Sequence, residues 1–234
     1  MRPCELDSRR PYQELHEWCE DESFLHPLQT CIQAQKRAAS SVFRSAFQPD
    51  DRALDAVSEQ SLRAILESGR DVHGIASDRS ISNVIVFNGP HIQDAVLDEA
   101  VLETRRMVDQ VVSDKVRHMT SSKTLEIACS GHLWYPPGAY MGWHTNSRSP
   151  GWRLYVSYAE KPGKSFFRYR DPDTRDIITS WDERWNVRLF EVRSDKPLWH
   201  AIYSETHRFS VGYVIYPRSF GAWAGDKLKR ALNA

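Results

Sequence analysis

WYPPGAYMGWHTN (134–146) and LWHAIYSETHRFSVGY (198–213) lie in the part of the chain that decides the fold. From residue 121 onward, short apolar runs follow one another, each ended by Pro, Gly, Asp or Asn. They are LEIACSGHLWY (125–135), AYMGWH (139–144), WRLYVSY (152–158), KSFFRYR (164–170), DIIT (176–179), NVRLFEV (186–192), LWHAIY (198–203) and HRFSVGYVIY (207–216). Runs of this length, rich in β-branched and aromatic residues and bounded by turn residues, read as strands. Eight of them with no helical run between predict a sandwich or barrel, not alternating β and α units.

The first half reads differently. Thr30 to Phe43 is compatible with a helix. Pro49-Asp50-Asp51 reads as a second helix start, with Leu54, Val57, Leu62 and Ile65 at helical spacing and Ser68-Gly69 as its stop. ISNVIVF (81–87), closed by Asn88-Gly89-Pro90, predicts one strand and a turn. From Ile92 to Met119, Leu97, Val101, Val108, Val112, Val116 and Met119 form one stripe, as a helix packed on a sheet requires. The organisation expected is a helical region over 1–120 packed on a β core over 121–234.

Composition narrows the class. The 234 residues carry 31 Lys and Arg against 31 Asp and Glu, so net charge gives no sign of a nucleic-acid or membrane-surface binder. The start, MRPCELDSRR, lacks the apolar run of a signal peptide, and no stretch approaches the roughly 20 apolar residues of a bilayer span. Cys4, Cys19, Cys31 and Cys129 show no CxxC spacing, and with His16 and His26 they fit no zinc-finger pattern. A cytoplasmic protein with reduced cysteines is expected.

The chemistry-bearing residues come in a particular order. His144-Thr145-Asn146 ends one apolar run, His200 follows 56 residues later, and Arg208-Phe209-Ser210 opens the next run. Singly each is unremarkable. Together they meet the needs of a ferrous oxygenase site, in which two imidazoles and a third protein group bind one face of the metal. On a strand, residues i and i+2 share a side, so positions 144 and 146 can reach one ion. An arginine beyond the second histidine can clamp a carboxylate with a two-pronged hydrogen bond, supported by a hydroxyl two residues on.

On these residues the stretch Tyr135–Tyr216 resembles the iron(II)- and 2-oxoglutarate-dependent oxygenases of the double-stranded β-helix (jelly-roll) fold, with spacing like the AlkB-type and prolyl-hydroxylase-type branches. The resemblance implies a mainly β jelly-roll core with flanking helices, preceded by the α-rich N-terminal region, and a dioxygenase, that is, an oxidoreductase. It implies His144, Asn146 and His200 as the iron-binding, catalytic set. Arg208 would pair with the distal carboxylate of 2-oxoglutarate, supported by Ser210, and Tyr135 would offer a hydroxyl to the co-substrate, a role that Tyr140 and Tyr155 could equally fill. Fe(II) and 2-oxoglutarate are the implied cofactor and co-substrate, and dioxygen the oxidant.

One position departs from the pattern: the family has Asp or Glu where this chain has Asn146. Three readings stay open. The amide oxygen binds iron directly; or Asn146 holds a water, or is replaced by Asp171, Asp173, Asp182 or Glu183; or the site binds a ligand without turnover. A halide-transferring site is disfavoured, because Asn leaves no vacancy beside the metal.

The substrate expected is a small polar metabolite such as an amino-acid derivative, and the expected outcome is hydroxylation. Two rivals stay open: a non-catalytic jelly-roll protein binding 2-oxoglutarate or a similar acid, and a hydroxylase or demethylase of protein or nucleic acid. A two-histidine dioxygenase that needs no 2-oxoglutarate would leave Arg208 and Ser210 without purpose. Arg148, Arg153, Arg168 and Arg170 are candidates for a substrate anion, against surface pairing with the acidic stretch 171–183. Trp143, Trp181, Trp185, Trp199 and Trp223 are expected mostly in the core.

Overall fold

The computed structural model describes residues 6, 10–46, 50–68, 80–87, 99–120, 125–147 and 149–217. Its strands are β1 (Tyr12–Glu14), β2 (Ile81–Ser82), β3 (Ile85–Val86), β4 (Leu125–Tyr135), β5 (Ala139–His144), β6 (Gly151–Ala159), β7 (Ser165–Arg170), β8 (Ile177–Trp181), β9 (Trp185–Val192), β10 (His200–Ser204) and β11 (Arg208–Pro217). Its helices are α1 (Glu22–Ala46), α2 (Ala53–Ala56), α3 (Glu59–Glu67) and α4 (Glu99–Thr120).

Two sheets are formed, ordered β1-β9-β6-β11-β4-β3 and β2-β5-β10-β7-β8. The strands from β4 to β11 are antiparallel to every neighbour. Along the chain they pass back and forth between the sheets, so β4, β11, β6 and β9 face β5, β10, β7 and β8. This winding is the jelly roll, and all eight sequence runs became its strands. It places the end of β5 beside the start of β10, where His200 is registered against His144.

Side-chain alternation divides the molecule into layers. Leu154, Val156, Val187, Leu189, Phe209, Val211 and Ile215 leave the outer face of the larger sheet and join one core with α1 and α4. Val108, Val112 and Val116 of the α4 stripe are fully buried there; burying a side chain of this kind contributes about 1.5–3 kcal/mol. Between the sheets, Tyr135, Met141, Phe167, Tyr169, Phe190, Val192 and Ile202 fill the barrel. On the far side, Val57 and Leu62 of the α2–α3 region cover Tyr140, Trp143, Phe166 and Trp199.

Several local expectations are revised. The helix begun near Asp50 breaks at Ser58, whose hydroxyl accepts from the Ser61 amide and starts α3 as an N-cap. The single strand over 81–87 is two, one per sheet, because Asn83 sits between them at φ +59°. The Thr30–Phe43 helix starts eight residues earlier, at Glu22. Leu97, Gly69 and the Asn88-Gly89-Pro90 turn lie outside the described residues.

Candidate active site

The histidine pair is built by a bulge. His200 faces His144, whereas Ile202 faces Met141, so β5 carries an extra residue between the two pairs. Met141 and His144, three apart, therefore both point into the barrel, while Trp143 turns outward and donates its indole N–H to the Ser58 carbonyl at 2.8 Å. The rings of His144 and His200 lie 4.1 Å apart between centroids.

Hydrogen bonds set the tautomers. Nδ1 of His144 is 2.8 Å from the Gly142 carbonyl, and Nδ1 of His200 is 3.1 Å from the Leu198 carbonyl. A carbonyl only accepts, so each Nδ1 carries the proton and each Nε2 of the neutral ring carries the lone pair. That is the state, and the backbone anchoring, of a metal-ligating imidazole. The Asn146 amide completes the group, with Nδ2 3.4 Å from Nε2 of His200.

Strand alternation does not bring Asn146 there. β5 ends at His144, and Asn146 turns back with a left-handed φ of +56°. Asn tolerates this conformation better than nearly all residues except Gly. Its loop is tied down: the Ser149 amide donates to the Asn146 carbonyl at 3.0 Å, and Arg153 Nη2 donates to the Ser149 carbonyl. Phe167 stacks on His200 at 5.3 Å, Phe190 meets it edge-on at 5.4 Å and Tyr155 at 6.4 Å, which makes the surroundings apolar.

Arg208 lies buried at the start of β11, with its guanidinium 5.2 Å from the centre of the Tyr135 ring. Its Nε donates to Oδ2 of Asp182 at 2.7 Å. Oδ1 of the same carboxylate accepts from Nη1 of Arg188 at 2.7 Å, and Ser165 donates to Oδ2 at 2.6 Å. Burial alone would raise the Asp182 carboxyl, but Arg208, Arg188 and the Ser165 hydroxyl hold it down at about 2. Arg188 also reaches Ser180 Oγ at 2.7 Å and Tyr12 at 3.2 Å, and lies 3.8 Å from the half-buried Glu14. Among the described residues, Nη1 of Arg208 is a buried donor with no hydrogen-bond partner.

The other candidates divide clearly. Ser210 is buried two residues along the same face of β11, opposite Ser157, which receives a bond from Arg188. Tyr135 and Tyr155 border the interior, but Tyr140 lies outside it, bonded to Ser80 and Asp50. Asp171 caps the turn over Asp173 and Thr174, Asp173 pairs with Lys196, Glu183 is exposed, and Asp182 belongs to the arginines.

Of the arginines, Arg168 bonds Val57 and Thr179 and Arg170 bonds the Arg175 carbonyl, so neither makes the acidic pairs expected. Arg153 is buried on two backbone carbonyls, and Arg148 is outside the described residues. Trp143, Trp185 and Trp199 are buried and Trp181 is exposed, while Trp223 is outside the described residues. A surface cleft bordered by Lys36, Tyr158, Glu160 and Arg184 lies outside the barrel and holds none of the candidate residues.

The residues fit the implied groups in two respects. Two imidazoles in the ligating tautomer converge with an amide, and the buried Nη1 of Arg208 has an open valence suited to a carboxylate. They differ in one: the three metal donors are all neutral. The parts not foreseen are the Asp182–Arg188 pair behind Arg208 and a group formed by Asp109, Cys129 and His132. Asp182 and Arg188 flank one turn and Cys129 and His132 share β4, but neither spacing announces the distant partner that each pair meets, Arg208 or Asp109.

No family model and no curated protein matches the chain. Solved structures similar to it include an oxidoreductase of the 2OG-Fe(II) oxygenase family from Burkholderia pseudomallei, at 12% identity and TM-score 0.39, covering 52% of this chain and 59% of that one. A prolyl-4-hydroxylase from Pseudomonas putida matches at 13% identity and TM-score 0.37, covering 71% and 88%. A prolyl hydroxylase from Trichoplax adhaerens, in complex with a hypoxia inducible factor oxygen degradation domain peptide fragment, matches at 13% and 0.37, covering 81% and 94%. The chain thus spans about three fifths of the first structure's length. Among the described residues, no helix is long and apolar enough to cross a membrane.

Proposed function

We infer that the barrel is the site of an iron(II)- and 2-oxoglutarate-dependent oxygenase acting on a small polar metabolite such as an amino-acid derivative. The observation that carries this reading is the His144–His200 pair, with both Nδ1 protons committed to backbone carbonyls, the two rings side by side and the Nε2 of His200 next to the Asn146 amide. His144 and His200 would hold the ferrous ion, with the Asn146 amide as third protein donor. When bound, the metal and the oxo acid would together supply the activation of dioxygen.

The chain's own residues then have distinct tasks. Arg208 receives the distal carboxylate through its Nη1 side, since Asp182 already holds Nε. Ser210 supports that end from the same strand face. Phe167, Phe190 and Tyr155 keep water away from the His200 ring. Arg153 fixes the 146–149 loop and hence the angle at which Asn146 presents its amide.

The neutral donor set favours one alternative, a jelly-roll protein that binds the oxo acid without turnover. A single experiment separates the two. Fe(II) and 2-oxoglutarate are added without oxygen and the weak visible charge-transfer band of the chelate is sought; oxygen is then admitted and succinate is assayed. Band and succinate support the oxygenase, a band without succinate across a substrate panel supports the binder, and no band defeats the assignment of iron and 2-oxoglutarate to this site.

A further inference from the structure

Outside the barrel, on the opposite face of the larger sheet, a second set of ligating side chains converges. Asp109 stands on α4, and Cys129 and His132 stand on β4; one ligand atom of each lies within 4.8 Å of the others. Residues three apart on a regular strand face opposite sides. Here Tyr213 pairs with Cys129 and Gly212 with Gly131, so Ser130 is an inserted residue and β4 is bulged. The bulge turns both Cys129 and His132 toward the helices. Gly212 makes room for it, since a Cβ there would meet Ser130 Oγ at 2.7 Å and Tyr155 Cε1 at 3.0 Å.

The group is polar, and mostly buried. The His132 side chain is fully buried, with Nε2 3.9 Å from Oδ1 of Asp109, while the Asp109 side chain is 42% exposed. Tyr213 donates to the same Oδ1 at 2.7 Å. On α1, Gln35 Nε2 lies 2.9 Å from Nδ1 of His132 and 3.3 Å from the Cys31 thiol. None of these side chains takes part in the barrel chemistry.

We propose that Asp109, Cys129 and His132 form a binding site for a thiophilic divalent metal ion, zinc by preference, which braces α4 against β4. One thiolate, one imidazole and one carboxylate are a zinc donor set. Donor atoms this close can all bond one ion at the usual 2.0–2.3 Å or so after small side-chain rotations. The exposed edge of Asp109 is the entry path, and water fills the fourth position. Gln35 is placed as the outer partner: with its amide turned, Oε1 accepts the Nδ1 proton of His132 while Nε2 ligates. Binding releases the Cys129 thiol proton to solvent, and the His132 ring keeps its single proton, moved to Nδ1. Without an ion, burial pushes the Cys129 thiol up to about 12 and holds the His132 imidazole below its ordinary range.

The test is a titration of the full chain with Co(II) under reducing, anaerobic conditions. The barrel trio offers only nitrogen and oxygen, so a near-ultraviolet sulfur-to-cobalt band cannot come from it and does not depend on the oxygenase reading; its loss in Cys129→Ser assigns it to this site. The expected result is a saturable band with tetrahedral visible absorption, displaced by Zn(II) and accompanied by a higher Tm. Cys129→Ser should abolish the band, and Asp109→Asn should weaken binding about tenfold or more. If Cys129→Ser does not fold, Asp109→Asn, a conservative change at a part-exposed position, decides. No band in the native chain, a band undiminished by Cys129→Ser, or unchanged affinity in Asp109→Asn would overturn the proposal.

Discussion

Oδ2 of Asp182 lies 2.7 Å from Nε of Arg208, with both side chains buried at the foot of the barrel. The pair is not isolated, because Arg188 holds the other oxygen at the same distance. Asp182 thereby keeps Arg208 extended and oriented before any ligand arrives. It also takes one side of the guanidinium fork, so the acid of the proposed function would meet the Nη1 side. On the proposed function this would be preorganised binding, with the ordering cost met in folding instead of on association.

Arg208→Lys keeps the charge and loses the fork. Charge-assisted hydrogen bonds of this type contribute about 1.5–3 kcal/mol, roughly ten- to a hundredfold in affinity. The 2-oxoglutarate concentration needed for half-maximal chelate band in anaerobic titration should rise by that factor, with iron affinity little changed. Unaltered affinity would remove Arg208 from the co-substrate site.

Asp182 also predicts how the fold responds to acid. Its folded-state pKa, about 2, is depressed below the ordinary 3.8. For a depressed carboxyl, the stability it confers is complete above 3.8 and is lost as pH falls from there through about 2. Asp182→Asn should remove this component of the acid transition. At neutral pH it should destabilise the fold by about 3–5 kcal/mol, since it leaves two buried guanidiniums without their shared anion. Urea unfolding of both proteins across pH 2–7 or so measures each effect; a neutral-pH loss well under 1 kcal/mol or so would mean that the two guanidiniums do not depend on Asp182.

The strands of the barrel were legible because each is a short apolar run between turn residues, and periodicity needs no tertiary information. The histidines and Arg208 were legible through their order. The path of Asn146 was not: alternation placed it on the strand with His144, whereas a left-handed residue beyond the strand end carries it. From sequence Asp182 reads as a stand-in metal ligand or as one of the surface acids of 171–183, since nothing local says that a residue between β8 and β9 will be buried against β11. The Cys129–His132 convergence depends on a bulge, which shifts facing by one residue and leaves no mark on apolar spacing. The two-residue strands β2 and β3 failed for a similar reason, because ISNVIVF is continuous in hydrophobicity while Asn83 reverses the backbone.

Asn146 separates backbone from ligand effects. Asn146→Asp keeps the side-chain shape and tolerates a φ of +56°, and it adds the anion that a ferrous ion favours. Iron affinity, measured by competition with a chromophoric chelator, should rise by about tenfold or more. Asn146→Gly suits the same φ without strain and removes the donor, so it should leave Tm nearly unchanged while weakening iron binding. A variant Asn146→Gly that binds iron as tightly as the native chain would show that the amide is not a ligand.

Gly212 links the bulge of β4 to the wall of the barrel. A Cβ at this position meets the Ser130 hydroxyl at 2.7 Å and the Tyr155 ring at 3.0 and 3.3 Å. The hydroxyl can rotate aside. The ring cannot yield as easily, because it is packed edge-on against Phe190 at 4.9 Å and faces His200 at 6.4 Å. Gly212→Ala should therefore cost about 1–3 kcal/mol in urea unfolding, as overpacking of a filled interior does. Adding Ser130→Ala should recover little of it, whereas in a Tyr155→Ala background, itself less stable for the lost ring, the same Gly212→Ala change should cost less, as a double-mutant cycle reads. Full recovery by Ser130→Ala would place the obstacle in the bulge and not in the aromatic wall beside the histidines.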